Sequence, residues 1–228
     1  MGHTHLALRD KPYIYVSWIA KYLAGEQLCG YSQWVRAHYQ LAHKDKVPST
    51  FDLANWIAEH TGLVRRRSDE LRSQGWEVYC EDQNHFTLEG RLSQAVFGGK
   101  PDIVAFSRDQ ALIEDCKTGA RRVSDIMQVQ LYGYLMPLST VGGRLAQAAQ
   151  LNGRVHYKDP PSMLVPFSAI TPDFKKLVRE AVALIAQDDP LPTHATYEQC
   201  RWCDVAKSVC PDRVEAPPDE IVAQTDEF

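Results

Sequence analysis

Several features are missing from the 228-residue sequence, and each absence excludes a class of protein. No apolar run approaches the roughly 20 residues that a membrane-spanning helix needs, so we expect no membrane span and no membrane partner. The first residues lack the basic and then apolar order of a secretory signal peptide, so we expect a cytoplasmic protein. Global disorder is also excluded, because hydrophobic residues make up 44% of the chain and charged residues 24%.

An excess of positive charge is missing too, because the formal net charge is −4 at pH 7. The acidic residues are concentrated in residues 212–228, which hold six acids and one base, Arg213. This segment contributes −5, which leaves about +1 for the rest of the chain. We interpret it as a flexible acidic tail. A near-neutral body can still carry a basic groove, so the charge does not exclude DNA binding.

Hydrophobic periodicity predicts an α/β fold in which a mixed central sheet is flanked by helices. We expect one domain over residues 1–211, with an N-terminal helical part at 12–50 and a C-terminal region at 189–211. Helices are predicted over 12–43, 51–74 (with Thr50 as its N-cap and Gly75 at its end), 124–136 and from the Thr171 N-cap to 187. Strands are predicted at 76–81, 86–92, 102–106, 111–117, 153–157 and 163–167, with a hairpin turn at 107–110.

Two strands of the predicted sheet carry acidic residues that could act together. Side chains alternate along a strand, so Asp115 and Lys117 share one face while Glu114 and Cys116 point to the other. A short hairpin would bring Asp102 alongside them. Carboxylate oxygens suit Mg²⁺ or Mn²⁺, which can activate water and stabilise charge on phosphate. The alternative is a surface hairpin with a salt bridge. Because Glu114 points to the opposite face, we expect its replacement to impair the chemistry of the metal site much less than replacement of Lys117 or Asp102.

The same residues carry a resemblance to a known family. Pro101-Asp102 and Asp115-Cys116-Lys117 resemble the core motif of the PD-(D/E)XK nuclease superfamily. The resemblance implies a restriction-endonuclease-like fold and a bound Mg²⁺ or Mn²⁺. It also implies Asp102, Asp115 and the backbone carbonyl of Cys116 as metal ligands, and Lys117 as the catalytic lysine.

A pair of polar residues follows on the next predicted helix. Gln128 and Tyr132 lie four residues apart and therefore share a helix face. They are similar to the Gln-x-x-x-Tyr motif of the RecB-like branch of the superfamily, which implies that they help to hold the active site and DNA. Gln130 and Tyr134 have the same spacing, so the frame of the motif stays open.

His60 lies on the apolar face of the second predicted helix. A lone histidine on an apolar face is more often a core residue than a ligand. RecB-like nucleases place a metal-binding histidine on a helix before the strands, and the resemblance implies this role for His60. His85 is the weaker candidate.

Three cysteines cluster near the end of the chain. Cys200, Cys203 and Cys210 have a spacing typical of zinc or iron–sulfur ligands, and Cys29 is the candidate for the fourth ligand. This set resembles that of iron–sulfur nucleases related to RecB and AddB, including the CRISPR-associated RecB-like exonucleases. The resemblance implies a [4Fe–4S] cluster that joins the N- and C-terminal segments. A Zn²⁺ site and unliganded core cysteines remain alternatives. Gly30 and Tyr31 depart from the Pro-Arg of many relatives.

Two arginine clusters flank the predicted site, and we expect either phosphate contacts or solvated helix faces from them. They are Arg65, Arg66 and Arg67 on the second helix, and Arg121 and Arg122 after the lysine strand. The resemblance implies a metal-dependent deoxyribonuclease, an exonuclease on single-stranded or end-containing DNA, with partners in CRISPR adaptation or DNA recombination. The alternatives are a DNA-binding or partner-docking module with the same fold, and a zinc-stabilised endonuclease of restriction type.

Overall fold

The computed structural model describes residues 6–48 and 51–218. Helices precede and follow a run of five strands in the middle of this part of the chain. In chain order the elements are β1 (Ala7–Leu8), β2 (Tyr13–Tyr15), α1 (Val16–Leu23), α2 (Gly30–His38), β3 (Tyr39–Gln40), α3 (Leu53–Ser73), β4 (Glu77–Cys80), β5 (Phe86–Glu89), β6 (Val96–Gly99), β7 (Ile103–Ser107), β8 (Gln110–Lys117), α4 (Val123–Leu135), α5 (Gly143–Gln147), β9 (Gln150–Tyr157), β10 (Met163–Val165), α6 (Pro172–Ala186) and α7 (Tyr197–Cys200).

The central sheet is mixed and has five strands in the order β10-β9-β8-β7-β4. β8 and β9 are parallel, and every other neighbouring pair in this sheet is antiparallel. The predicted turn between β7 and β8 is present, with Ser107 opposite Gln110 and Arg108 at a φ of 52°. The predicted α/β class, with a mixed sheet flanked by helices, is confirmed.

Two helices cover opposite faces of this sheet. Leu63, Val64 and Leu71 of α3 pack with side chains of β7 and β8, including Cys116. On the other face, α4 contacts β8 and β9, and Ile113 lies in the core with Leu131 and Tyr132. Each fully buried side chain of this kind contributes about 1.5–3 kcal/mol. The two helices therefore position side chains above and below the same strand ends.

The N-terminal part differs from the prediction of helix over residues 12–43. It begins with strand β2, which pairs in parallel with β6, and β6 pairs antiparallel with β5 to complete a second, three-stranded sheet. A short third sheet joins β1 and β3. These strands pair with partners far along the chain, and local periodicity carries no signal of such pairing. Gly98 allows the close approach, because a Cβ there would lie 2.0 Å from the Tyr13 hydroxyl oxygen.

Helix boundaries follow the capping residues. α3 begins at Leu53, after Asp52, whose carboxylate accepts a hydrogen bond from the Asn55 amide at 3.0 Å. Thr50, the expected N-cap, lies outside the described residues. The Thr171 hydroxyl does cap α6, accepting from the Phe174 amide at 3.2 Å.

Direct contacts join the N-terminal and C-terminal segments. The Tyr31 amide donates to the carbonyl of Pro192 at 3.1 Å, and the Arg36 guanidinium lies 2.5 Å from the Asp204 carboxylate. Arg213 is buried, so packed residues extend past the expected boundary at residue 211. The acidic residues beyond Pro218 lie outside the described part of the chain. No helix within residues 6–48 and 51–218 has the length and apolar character to cross a membrane.

A buried ion pair links α3 to β8 and corrects one expectation. Arg67 donates two hydrogen bonds of 2.8 Å to Glu114, whose side chain has no exposed surface. Arg67 also pairs with Glu70, and Arg154 reaches Glu114 at 3.1 Å. The expectation that Arg67 contacts DNA is therefore wrong, because its guanidinium is buried and paired inside the fold. Glu114 lies on the face opposite Asp115, and its burial gives it a role in stability that the sequence did not indicate.

Replacement of Glu114 by alanine should lower the free energy of unfolding by about 3–5 kcal/mol, because the Arg67 guanidinium would stay buried without its carboxylate. Urea unfolding at neutral pH measures this change. Asp69→Ala is the matched control, since Asp69 forms an exposed pair with Arg72 on the same helix and should matter by no more than about 0.5 kcal/mol. Equal unfolding midpoints for the two variants would contradict the assignment.

Candidate active site

Two aspartates meet where β7 begins and β8 ends. The antiparallel register pairs Ile103 with Glu114, which brings Asp102 beside the last residues of β8. The Cys116 amide donates to Oδ2 of Asp102 at 2.6 Å. This bond fixes the Asp102 carboxylate next to the strand that carries Asp115.

Asp115 and Lys117 share the face of β8 that α4 covers. Asp115 is 3% exposed at its side chain, and Nζ of Lys117 lies 2.5 Å from its Oδ2. Burial raises the pKa of Asp115, and the Lys117 ammonium partly opposes that rise. Burial also acts to lower the pKa of Lys117, but the carboxylates of Asp115 and Asp102 outweigh it and raise that pKa. Lys117 is therefore a charged ammonium at neutral pH.

The α4 side chains hold this pair in place. Gln128 donates to Oδ1 of Asp115 at 3.0 Å and accepts from Nζ of Lys117 at 3.1 Å. Gln128 also donates to the hydroxyl of Tyr132 at 3.0 Å, and that hydroxyl donates to the carbonyl of Lys100 at 3.2 Å. Of the two frames left open by the sequence, the structure places the Gln128 and Tyr132 frame at the carboxylates. Tyr134 packs elsewhere, against Phe174.

His60 reaches the site from α3. Its Nε2 lies 3.2 Å from Oδ2 of Asp102, and its ring stacks on Trp56 with the centroids 5.0 Å apart. The hydrogen bond to Asp102 raises the pKa of His60 against the opposing effect of burial. The structure therefore brings His60 to the aspartates. His85 is exposed and does not line the same cleft.

The donor set suits a divalent cation. Oxygen and imidazole groups from Asp102, Asp115 and His60 line one cleft, and Oδ2 of Asp115 is already paired with the Lys117 ammonium. Carboxylate oxygens and an imidazole nitrogen are ligand types that Mg²⁺ or Mn²⁺ accepts. Within the described residues, no three His, Cys, Asp or Glu side chains already converge into a complete metal-holding group. The residues present thus fit the ion chemically without forming a closed cage.

The cleft around these residues has a volume of about 570 Å³. Sequence reasoning missed several of its walls, namely Tyr15, Trp56, Ile57, Gly98 and Gly99. Gly99 is required by packing, because a Cβ there would lie 2.6 Å from the Phe86 ring and 3.0 Å from the Tyr132 ring. The adjacent Gly98 and Gly99 were the signal in the sequence that could have indicated this wall of the cleft, since a glycine in a strand often marks a close approach to the backbone.

The four cysteines of the predicted cluster line one small, enclosed cavity. Cys29, Cys200, Cys203 and Cys210 are all free thiols, and the cavity between them measures about 20 Å³. Burial raises the pKa of Cys203, and it raises that of Cys210 to about 11. Thiols are the ligand type that zinc and iron–sulfur clusters take, but in the described part of the chain no three of these cysteines already form a metal-holding group.

Arg213 shapes the loop that carries three of these thiols. Its guanidinium donates to the carbonyls of Cys200 at 2.9 Å, Cys203 at 2.9 Å and Val205 at 2.8 Å. The loop conformation is therefore set by protein hydrogen bonds around a buried cation. Cys80 and Cys116 lie apart from this cavity, in β4 and β8.

The remaining arginines of the two clusters lie outside the cleft. Arg65 and Arg66 are exposed on α3, and Arg122 is exposed at the start of α4. Arg121 donates to the carbonyls of Asp159 and Pro161 and lies over the Tyr157 ring. None of these four side chains lines the cleft. Their role as phosphate contacts stays a prediction.

Two acidic residues and a lysine at the ends of paired strands, backed by a polar helix, define a nuclease-like active site. A family model for the PD-(D/E)XK nuclease superfamily matches residues 19–211. The chain belongs to this superfamily. Its members hydrolyse phosphodiester bonds in nucleic acids and generally use Mg²⁺ or Mn²⁺, which agrees with the donor set of the cleft.

A solved structure titled "Crystal structure of SSO0001" is similar over 91% of this chain and 90% of its own. Its sequence identity is 16% and its TM-score 0.47, so it carries no argument about function. No curated protein matches the chain.

The frame of the Gln-x-x-x-Tyr pair can be tested by a matched substitution on α4. Gln128→Ala should lower the rate constant of DNA cleavage roughly a hundredfold, because Asp115 and Lys117 would lose the side chain that positions both. Gln130→Ala, two residues along, should leave the rate within a factor of about 2, since the half-buried Gln130 does not line the cleft. Single-turnover cleavage at saturating protein measures both. Equal losses in the two variants would show that the frame is wrong.

Proposed function

We propose that this protein is a metal-dependent DNA nuclease of the RecB-like iron–sulfur type. The observation that carries the proposal is the side-chain network in which Gln128 bonds both Asp115 and Lys117 beside Asp102. A binding module needs a basic surface but has no need for a buried Asp115 carboxylate beside a half-buried Asp102 carboxylate and a half-buried Lys117 ammonium. Burying these charges costs stability, and catalysis gives a reason for that cost.

His60, Asp102, Asp115 and the carbonyl of Cys116 would hold a Mg²⁺ or Mn²⁺ ion. Bound there, the ion would lower the pKa of a water molecule and stabilise charge on the scissile phosphate. The chain itself supplies the orientation of these ligands. The Cys116 amide holds Asp102, and Gln128 holds Asp115.

Lys117 has a positioning and electrostatic role in this proposal. Its ammonium has three donors, of which one bonds Gln128 and one faces Asp115. The third is free to orient an attacking water or a phosphate oxygen in the cleft. A fixed positive charge aimed at developing negative charge stabilises a transition state.

Replacing Lys117 or Asp102 by alanine should lower Mn²⁺-dependent DNA cleavage roughly a hundredfold or more, because each removes a group that acts on the reacting atoms. End-labelled single-stranded and double-stranded DNA serve as substrates, and the product pattern distinguishes exonuclease from endonuclease action. Lys158→Ala and Asp109→Ala are matched controls, since both residues are exposed and outside the cleft. Wild-type protein that binds DNA without cutting it would support the alternative of a binding module.

The proposal includes a [4Fe–4S] cluster on Cys29, Cys200, Cys203 and Cys210. It is supported by the four free thiols around one cavity and by their resemblance in spacing to RecB-like iron–sulfur nucleases. The cluster would have a structural role, because its cavity is formed by the N- and C-terminal segments and shares no lining residue with the catalytic cleft. A zinc ion is the alternative that the same thiols support.

Anaerobically purified Cys29→Ser and Cys203→Ser should lose iron and acid-labile sulfide and should melt at a lower temperature. The reason is that a shared cluster ties two distant segments of the chain together. Cys80→Ser is the control that should keep its iron and acid-labile sulfide, since Cys80 lies in β4 beside Ser68. Metal analysis of the wild-type protein distinguishes an iron–sulfur cluster from a zinc ion. Wild-type protein with stoichiometric zinc and no iron would overturn the iron–sulfur assignment.

The biological setting within this proposal is CRISPR adaptation or DNA recombination, with exonucleolytic trimming of single-stranded or end-containing DNA. Only the resemblance of the sequence motifs supports this setting. Proteins of those pathways are the partners that it implies.

A further inference from the structure

A second pocket lies next to the catalytic cleft and shares Tyr15 with it. Its volume is about 290 Å³. Ligand pockets begin at about 300 Å³, so this one suits a group the size of one nucleotide. Its walls combine aromatic and basic side chains, chiefly Arg9, Tyr15, Trp18, Arg36, Tyr39 and Lys46.

The wall between the two pockets is aromatic and held in position. Tyr15 is 40% exposed, and its ring meets the Trp18 ring edge to face with the centroids 4.6 Å apart. Tyr15 ends β2, where it pairs with Gly98 of β6, a residue of the catalytic cleft. An exposed ring on a strand end, supported from behind by a second ring, is a suitable surface for stacking a base.

The pocket also has more positive than negative charge. Asp204 also lines the pocket, and its negative charge is balanced by its ion pair with Arg36. Lys46 is exposed, and neither it nor Arg9 forms an ion pair with any side chain in the described part of the molecule. Nε of Arg9 is buried and has no hydrogen-bond partner there. Two cationic side chains are thus available to an anion.

Cationic side chains also lie near both sites. Lys21 of α1 has Arg36 of this pocket and Lys117 of the cleft among its charged neighbours; burial and these cations lower its pKa, while Glu26 acts to raise it. A polyanion is attracted along such a series of cations.

We infer that this second pocket binds a nucleotide of a single-stranded DNA that continues from the catalytic cleft, with its base stacked on Tyr15 and its phosphate at Arg9 and Lys46. The strand must be single because the faces of bases in a duplex are covered by their neighbours. The direction of the strand toward the cleft rests on the proposed nuclease function. Binding itself does not depend on cleavage, so the two can be tested apart.

The test is fluorescence anisotropy with a labelled single-stranded oligonucleotide in EDTA, which prevents metal-dependent cleavage. Lys46→Gln and Arg9→Gln should each weaken binding about tenfold at low salt and reduce the slope of log affinity against log salt by about one. Tyr15→Leu should weaken binding about tenfold with little change of that slope, because stacking is not ionic. Lys44→Gln is the matched control, since Lys44 is exposed on the same segment but does not line the pocket.

Melting temperatures establish that each variant is folded, and Lys46 is exposed enough that its replacement leaves the core intact.

Unchanged single-strand affinity in the folded Lys46→Gln and Tyr15→Leu proteins would overturn the inference. An equal loss for a blunt duplex would overturn the single-strand assignment. Wild-type protein that binds single strands through these residues but cleaves nothing would keep the inference and overturn the nuclease proposal. Cleavage by the wild-type protein, together with unchanged single-strand binding by these variants, would keep the nuclease proposal and overturn the inference.

Discussion

The register between β7 and β8 is the constraint on which the rest of the site depends. It places Asp102 within 2.6 Å of the Cys116 amide and so beside Asp115. A slip of one residue would exchange the two faces of β8 and turn Asp115 toward α3. The register is fixed from both sides, because Arg67 of α3 pairs with Glu114 on one face and Gln128 of α4 donates to Asp115 on the other. Two consecutive buried carboxylates, each held by a different helix, oppose any slip of the strand.

Around this strand the fold collects residues from distant parts of the chain. α3 supplies His60 and α4 supplies Gln128 and Tyr132, from opposite faces of the sheet. The second sheet adds Tyr15 and Gly98 to the cleft through the pairing of β2 with β6. The cleft is therefore complete only when the N-terminal segment is in place, and that segment is held by contacts to the C-terminal region. Stability at the far end of the molecule and geometry at the carboxylates are linked through the same chain segments.

The sequence allowed the central hairpin, α4, α6 and the convergence of Asp102, Asp115 and Lys117 to be predicted. These features depend on local signals: alternation along a strand, helical spacing, and a hydroxyl followed by proline at the start of α6. It did not allow β2 or β6 to be predicted, since their pairing is parallel and non-local, and residues 12–43 carry a helical pattern. The frame of the glutamine and tyrosine pair stayed open because spacing alone fits both frames. Only the position of α4 over β8 distinguishes Gln128 from Gln130.

Arg67 shows why charge patterns mislead. In the sequence it is the third of three consecutive arginines, and the sequence alone does not show which of the three could contact a phosphate. Helix geometry separates them, because Arg65 and Arg66 turn to solvent while Arg67 faces the sheet. Its guanidinium then offsets the desolvation of Glu114, a balance that requires both partners. The same principle applies at Asp115, where a buried carboxylate has Gln128 and Lys117 as partners. The two carboxylates are adjacent on one strand, but Glu114 is enclosed between Arg67 and Arg154, whereas Asp115 lines the cleft. Access to the cleft, and not burial alone, separates the structural carboxylate from the one that is able to bind an ion.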